Sequence, residues 1–331
     1  MTELTIPDLS DVLAARQRIA PYLRPTPLYQ YPALDTLTGA RLWVKHENHQ
    51  PIGAFKVRGG INLISQLSPD DRNRGVISAS TGNHGQSVAY AARLFGVHAA
   101  ICVPEQANPV KVESMRALGA EVIFYGRDFD EAREHCERLA AERSYRYIHS
   151  ANEPALIAGV ATGTLEILEA LPGAEMIVVP VGGGSGLAGA CIVAKAIRPS
   201  IEVIGVQSEA APAAYESWRA RALVENSTAT IAEGLATRTA FELTQRIVWD
   251  LADDFVLVSE GELVQATRLM IEKTRNLVEP AGAAALAAVL AAPDRFAGRT
   301  VAILCSGGNI SPDQLVSLWQ ADPATSRTAA G

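Results

Sequence analysis

Short β-rich runs that alternate with longer helical ones predict an α/β fold of two open, twisted, mostly parallel sheets flanked by helices. Three observations carry that prediction. Strand-like runs at 75–78, 99–103 and 121–124 form one compact series, and runs at 176–181, 202–207 and 301–305 form a second. Helical stretches with apolar residues at helical spacing separate them, at 86–94, 110–118, 128–143, 187–197 and 260–276. Finally, 331 residues, of which 48% are hydrophobic and 20% charged, can fill the cores of two domains. The expected partition is a large domain of residues 1–70 plus 151–320, a small domain of 71–150 inserted in it, and a flexible tail at 321–331.

Taken in order, the strand candidate at 42–45 precedes Gly53-Ala54-Phe55-Lys56-Val57-Arg58-Gly59-Gly60, where a lysine lies among small residues and one aromatic. Burial there disfavours the ammonium and lowers its pKa, as an amine requires if it is to attack a carbonyl and hold it as a Schiff base. A lone lysine is more often a solvated surface charge. The run at 75–78 leads into Ser80-Thr81-Gly82-Asn83-His84-Gly85-Gln86 at the start of a helix. The hydroxyls of Ser80 and Thr81, the amide of Asn83 and the bare backbone of Gly82 offer donors to a carboxylate. The plainer reading is a capped helix start, with His84 a core histidine.

The run at 176–181 is followed by Gly182, Gly183, Gly184, Ser185 and Gly186, then a helix. Strand, glycine turn and helix form an anion-binding layout, because the backbone can approach closely and the helix start is electropositive. Gly184-Ser185-Gly186-Leu187-Ala188-Gly189 also satisfies the dinucleotide pattern, with Glu209 about 20 residues beyond, so a nicotinamide-dependent oxidoreductase stays open. The alanine-rich run 281–292 is shorter than the roughly 20 residues that cross a membrane and reads as a buried helix. The run at 301–305 ends in Ser306-Gly307-Gly308-Asn309, with a hydroxyl at the carboxyl end of a strand, where open α/β sheets bind ligands.

A net charge of −7 argues against nucleic acid as a partner and favours a small metabolite. Cys102, Cys136, Cys191 and Cys305 are widely spaced, indicating neither a zinc site nor a disulfide framework, and suit a reducing, cytoplasmic setting. Acids near Met1 and the lack of an apolar segment after them make export unexpected.

In this order and spacing, joined by Glu153-Pro154-Ala155-Leu156-Ile157-Ala158-Gly159 and Glu279-Pro280-Ala281-Gly282, the motifs resemble the fold-type II pyridoxal-phosphate enzymes, the serine/threonine dehydratase and serine racemase family. The resemblance spans nearly the whole chain. It implies pyridoxal 5'-phosphate held between the two domains. Lys56 would carry the cofactor and act as base, Phe55 would pack on its ring, and Asn83 would bond the ring's 3′ oxygen. Gly182, Gly183, Gly184, Ser185 and Gly186 would cradle its phosphate, Ser306 would meet its pyridine nitrogen, and Glu279 would complete the set. Ser80, Thr81, Gly82, Asn83 and His84 would hold the amino-acid substrate, its carboxylate above all. The implied activity is a dehydratase that converts a β-hydroxy-α-amino acid to a 2-oxo acid and ammonia, working as a homodimer or higher homo-oligomer. L-threonine or L-serine is the default substrate.

Departures from the family pattern refine this expectation. Thr81 replaces the serine that would serve a racemase as acid on the second face, so racemisation is the alternative, not the first reading. Gln207 and Ala213 stand where carboxylates would hold a divalent cation, so no metal is expected. Ala54 and Ala151 imply a roomier pocket that could admit 3-phenylserine. For 3-hydroxyaspartate, Arg238 is the one candidate for an extra cation. Nothing after Trp319 resembles the regulatory domain of biosynthetic threonine dehydratases, so feedback by isoleucine is not expected.

Overall fold

The computed structural model describes residues 5–320. In chain order its elements are α1 (Leu9–Ile19), β1 (Leu28–Gln30), α2 (Pro32–Thr38), β2 (Arg41–His46), α3 (Val57–Ile64), α4 (Pro69–Arg74), β3 (Val76–Ala79), α5 (Asn83–Phe95), β4 (Ala99–Val103), α6 (Pro109–Ala117), β5 (Glu121–Phe124), α7 (Phe129–Glu142), β6 (Arg146–Tyr147), α8 (Pro154–Ala170), β7 (Met176–Pro180), α9 (Ser185–Ile197), β8 (Glu202–Ser208), α10 (Ala213–Ala220), α11 (Glu242–Leu251), β9 (Asp254–Val258), α12 (Glu260–Thr274), α13 (Pro280–Ala291), α14 (Pro293–Phe296), β10 (Thr300–Cys305) and α15 (Pro312–Gln320). The chain divides into two compact units, residues 1–24 with 55–162 and residues 25–54 with 163–331.

The first unit is built on a parallel sheet of order β5-β4-β3-β6. Every residue of β3 and β4 is buried, as the uninterrupted apolar runs of a sheet covered on both faces require. Ile77, Ala79, Ala100 and Cys102 pack there against Cys136, Leu139 and Ala140 of α7. Asp128 caps α7 by accepting from Glu131 N, and Asn108 with Pro109 starts α6. Strand order reverses at β3, with β4 and β5 on one side and β6 on the other. The carboxyl ends of β3 and β6 therefore form a topological switch point, where α/β sheets leave a crevice for ligands.

The second unit holds a sheet of order β1-β2-β10-β7-β8-β9, parallel except for the antiparallel edge pair β1 and β2. Here the reversal falls between β7, whose successors β8 and β9 lie on one side, and β10 on the other. Against this sheet lies α13, buried from Pro280 to Val289, which explains its lack of polar residues. Ser259 and Glu262 form a capping box at the start of α12. Among the described residues, no helix is long and apolar enough to cross a membrane.

The two expected strand series occupy the two sheets, and the run at 42–45 becomes part of β2. The elements not anticipated include α1, α11 and β9, which are of ordinary length, as well as shorter or less patterned ones. With only two residues, β6 is too short to show an alternation, and α8 is too uniformly apolar to show a helical face. All four cysteines are buried and unbridged. The expected tail, 321–331, lies outside the described residues.

Candidate functional site

In the first unit, Lys56 is the N-cap residue of α3, and its carbonyl accepts a 2.6 Å hydrogen bond from Ser87 Oγ on α5. The two helices approach this closely because of Gly60. A Cβ at that position would stand 2.3 Å from Ser87 Oγ and 2.7 Å from Ser87 O. Lys56 is thus placed by a rigid helix pair, not by a loop. The Lys56 amine lies 5.2 Å from the centre of the Phe55 ring, and desolvation lowers its pKa to about 8. About a tenth of the amine is therefore uncharged and nucleophilic at pH 7, far more than for an ordinary lysine.

The loop between β3 and α5 is organised by Ser80, whose Oγ accepts from Gly82 N at 3.0 Å and Gly85 N at 2.8 Å. Thr81 and Asn83 keep some exposure, while Ser80, Gly82 and His84 are buried. The stem of Lys111, a buried lysine of α6, passes over Gly82, since a Cβ there would meet its Cδ at 2.7 Å. A cationic side chain beside this loop suits an anionic substrate group. Nothing local in the α6 sequence distinguished Lys111 from a surface lysine.

His84 contacts Ser78 Oγ through Nε2 at 2.9 Å, and the same hydroxyl donates to Ile148 O at 2.7 Å. A hydroxyl has one proton, so the imidazole must donate the other bond and carries its hydrogen on Nε2. His84 Nδ1 is then a bare acceptor, buried without a partner. Burial, the Lys56 charge and His149 push its pKa down to about 3, so the ring stays neutral. A neutral ring with a bare Nδ1 cannot donate to a carboxylate there, which leaves that contact to the Ser80 and Thr81 hydroxyls and the N–H groups at the start of α5. His149, just beyond β6, accepts at Nδ1 from Ala151 N and Asn152 N, both at 3.0 Å, so it too is protonated at Nε2. Burial, then Arg133 and Lys56, lower its pKa to about 4. Glu153 holds this turn: it receives two 2.9 Å bonds from Arg146 and one from His149 N.

In the second unit, the turn after β7 places Gly182, Gly183 and Gly184 before α9, and Ser185 and Gly186 open the helix. Gly184 adopts φ +87°, and a Cβ at Gly182 would lie 2.1 Å from Gly234 O. Side chains are excluded, so bare backbone and a helix N-terminus form the turn's surface. Thr244 Oγ1 on α11 braces it with contacts to Gly183 O at 3.0 Å and Phe241 O at 3.1 Å. These are the properties a phosphate cradle needs, and pyridoxal phosphate fits them. β10 ends at Cys305, and the next residue, Ser306, donates from Oγ to Ala281 O at 3.4 Å, a long and therefore weak bond. Glu279, buried at the start of α13, donates from its N to Gly307 O at 3.2 Å, so Ser306 and Glu279 share one corner. Gly53 and Ala54, which lead into Phe55, are pinned to the turn after β10 through the Gly308 N bond to Gly53 O and the Ala54–Gly307 bridge.

Each unit thus gathers its own expected residues at its switch point. Phe55, Lys56 and the residues from Ser80 to His84 belong to the first, and the glycine turn, Glu279 and Ser306 to the second. Ser78, Ser87, Lys111, His149 and Thr244 were not singled out from the sequence. Gln207 uses its Oε1 to accept from Ala214 N and Tyr215 N, capping α10. Among the described residues, no three His, Cys, Asp or Glu side chains gather as a metal site. Arg238 is exposed, in the loop before α11.

Residues 19–307 match the family model described as pyridoxal-phosphate dependent enzyme. The chain is 40% identical over 308 residues to an L-threonine ammonia-lyase of Thermotoga maritima, covering 93% of this chain and 77% of that one. It is 35% identical over 316 residues to an L-threo-3-hydroxyaspartate ammonia-lyase of Saccharomyces cerevisiae, covering 95% and 97%. The structure of maize serine racemase superposes with a TM-score of 0.89 at 34% identity, covering 96% and 98%. With that family match, the glycine pattern at the start of α9 no longer calls for a dinucleotide.

Proposed function

The chain belongs to the pyridoxal-phosphate dependent enzyme family, and on that basis we propose that it is an ammonia-lyase acting on β-hydroxy-α-amino acids. L-threonine or L-serine is the first substrate to consider, and a 2-oxo acid and ammonia are the products. The observation that carries the reading is the Lys56 amine, rooted in a fixed helix pair and brought to a pKa of about 8. When bound, pyridoxal phosphate supplies an electron-accepting ring that spreads the charge left at the substrate α carbon. Lys56 would anchor that group and, as a free amine, take up the α proton at Nζ. Gly182, Gly183, Gly184, Ser185 and Gly186 would hold the phosphate, Phe55 would pack on the ring, and Asn83 and Ser306 would offer polar contacts to its edge. Glu279 holds the corner in which Ser306 sits. The Ser80 and Thr81 hydroxyls, with the backbone N–H groups that open α5 at Asn83 and His84, take the substrate carboxylate, the bare Gly82 leaves room for it, and Lys111 adds positive charge.

The test is 2-oxo acid release from resolved stereoisomers of serine, threonine, 3-phenylserine and 3-hydroxyaspartate. Activity on one of the four that vanishes in Lys56→Ala is the expected result. Release from none of them, or a Lys56→Ala variant at the wild-type rate, overturns the assignment. Thr81, partly exposed and bearing a hydroxyl, favours a second reading, an amino-acid racemase with Thr81 as the acid on the opposite face. Chiral analysis of recovered substrate separates the two. We infer a cytoplasmic homo-oligomer from the net charge and the widely spaced cysteines together with the family resemblance, and analytical ultracentrifugation measures the oligomeric state directly.

A further inference from the structure

In the second unit, a loop between α10 and α11 is closed at its neck and pressed against the glycine turn near its far end. At the neck, Asn226 N donates to Arg238 O at 2.9 Å, beside a bridge between Glu225 and Thr239. Compact loops whose ends meet in this way frequently serve a function. Glu233–Leu235 form a single 3-10 turn within the loop, and Gly234 is squeezed there from two sides. Its carbonyl oxygen comes so near Gly182 that a Cβ on Gly182 would lie 2.1 Å from it, and a Cβ on Gly234 would meet Ala281 Cβ at 2.9 Å. Midway along the loop, the carboxylate of Glu260 on α12 receives three hydrogen bonds. Its Oε1 accepts from Ser208 Oγ at 2.6 Å and Thr230 Oγ1 at 2.8 Å, and its Oε2 accepts from Ile231 N at 2.7 Å. Ser208 is the buried last residue of β8, the strand paired with β7, so one carboxylate fastens the loop to the sheet that carries the turn. Helix capping does not account for Glu260, because Ser259 and Glu262 already form the capping box of α12.

We propose that Glu260 is a positioning residue for the cofactor phosphate: by fastening Thr230 and Ile231 to Ser208 it holds the 226–238 loop, and through Gly234 the loop holds Gly182 and the turn behind it in the shape that receives a phosphate. The inference rests on the reading of Gly182 to Gly186 as the phosphate cradle and deepens it by naming what keeps that turn in shape. Glycine backbone has more conformations open to it than any other, so a turn without side chains keeps one shape only if its surroundings impose it. Thr244 does so at Gly183, and Gly234 does so at Gly182. A carboxylate suits the fastening because it only accepts, and can serve two hydroxyls and an amide at once through charge-assisted bonds. The arm of the loop before Thr230 has its own attachment, since Ser227 Oγ and Ala229 N both donate to Ala210 O. Loss of Glu260 therefore loosens the part that touches the turn and leaves the rest of the loop in place.

The experiment titrates the full chain, freed of cofactor, with pyridoxal 5'-phosphate and with pyridoxal, which lacks the phosphate. In Glu260→Ala the Kd for pyridoxal phosphate is expected to rise about tenfold while that for pyridoxal stays unmoved. Glu260→Gln keeps an oxygen for the two hydroxyls but turns an N–H toward Ile231 N, and its Kd should rise by about threefold. An equal loss on both compounds, or no loss on either, overturns the proposal. Gly183→Asp tests the underlying reading separately, since a negative charge in the turn should abolish the preference for the phosphorylated compound. If Gly183→Asp keeps that preference, the turn is not the phosphate site and the proposal falls with it. If Gly183→Asp loses the preference and Glu260→Ala keeps it, only the role of Glu260 is removed. Coupling between two sites is reciprocal, which gives a readout on the unsubstituted protein, independent of activity and of variant folding. Pyridoxal phosphate, and not pyridoxal, should slow hydrogen exchange at the amides of Ile231 and Leu235. Exchange there that is the same with either compound overturns the proposal.

Discussion

Replacing Gly60 with alanine would normally stabilise a helix by about 1 kcal/mol. Here it should do the opposite. The new Cβ would stand 2.3 Å from Ser87 Oγ and 2.7 Å from Ser87 O, and the second atom is backbone, which cannot rotate away. Forcing α3 from α5 costs about 1–3 kcal/mol as overpacking, and the displaced Ser87 hydroxyl loses its bond to the Lys56 carbonyl, about 1 kcal/mol more. After the gain in propensity, the net loss is about 1–3 kcal/mol. Urea unfolding of Gly60→Ala, Ser87→Ala and the double variant measures it. Ser87→Ala alone should cost about 1 kcal/mol, and the double variant should cost less than the two losses added, because the side-chain clash is gone while the backbone clash remains. A second readout is the amine itself. In protein freed of pyridoxal phosphate, competitive acylation of Lys56 across pH should show a midpoint near 8 in the wild type, displaced in Gly60→Ala as the N-cap of α3 shifts. A Gly60→Ala protein at least as stable as the wild type, with an unmoved midpoint, would refute the claim that this contact positions the lysine.

Two other outcomes follow from the same geometry. His46, His84 and His149 have pKa values lowered to about 4, 3 and 4, chiefly by burial, so as pH falls below about 6.5 the unfolded chain takes up protons that the native rings refuse. Stability should drop through pH 6 to 4.5 with a slope approaching 4 kcal/mol per pH unit from these three groups, and a flat stability profile there in urea unfolding contradicts their burial as neutral rings. Thr244→Val removes the hydroxyl that braces Gly183 while keeping shape, and should weaken pyridoxal phosphate binding about five- to tenfold in a fluorescence titration, with little loss of fold. Equal affinity would show that the turn is held by its backbone alone.

Both sheets were legible because parallel strands buried on both faces leave uninterrupted apolar runs, as in 99–103 and 176–180. The glycine turn, the Ser80 loop and the lysine among small residues were legible for a related reason, since each carries its chemistry within a few consecutive positions. Part of what escaped has no local signal. β6 has two residues, yet it places His149 beside β3.

The sequence by itself determined the central strands of both sheets and the helices between them, which stretch of backbone can receive a phosphate, and which lysine stands in an apolar setting. Only the tertiary structure decided how those parts are primed. The proton on His84 sits on Nε2 because Ser78, spending its own on Ile148, 70 residues further on, has none left to give. The turn at Gly183 is braced by Thr244, 61 residues away. Hydrogen bonds between distant positions depend on where folding carries each donor and acceptor, and periodicity and composition contain no record of that.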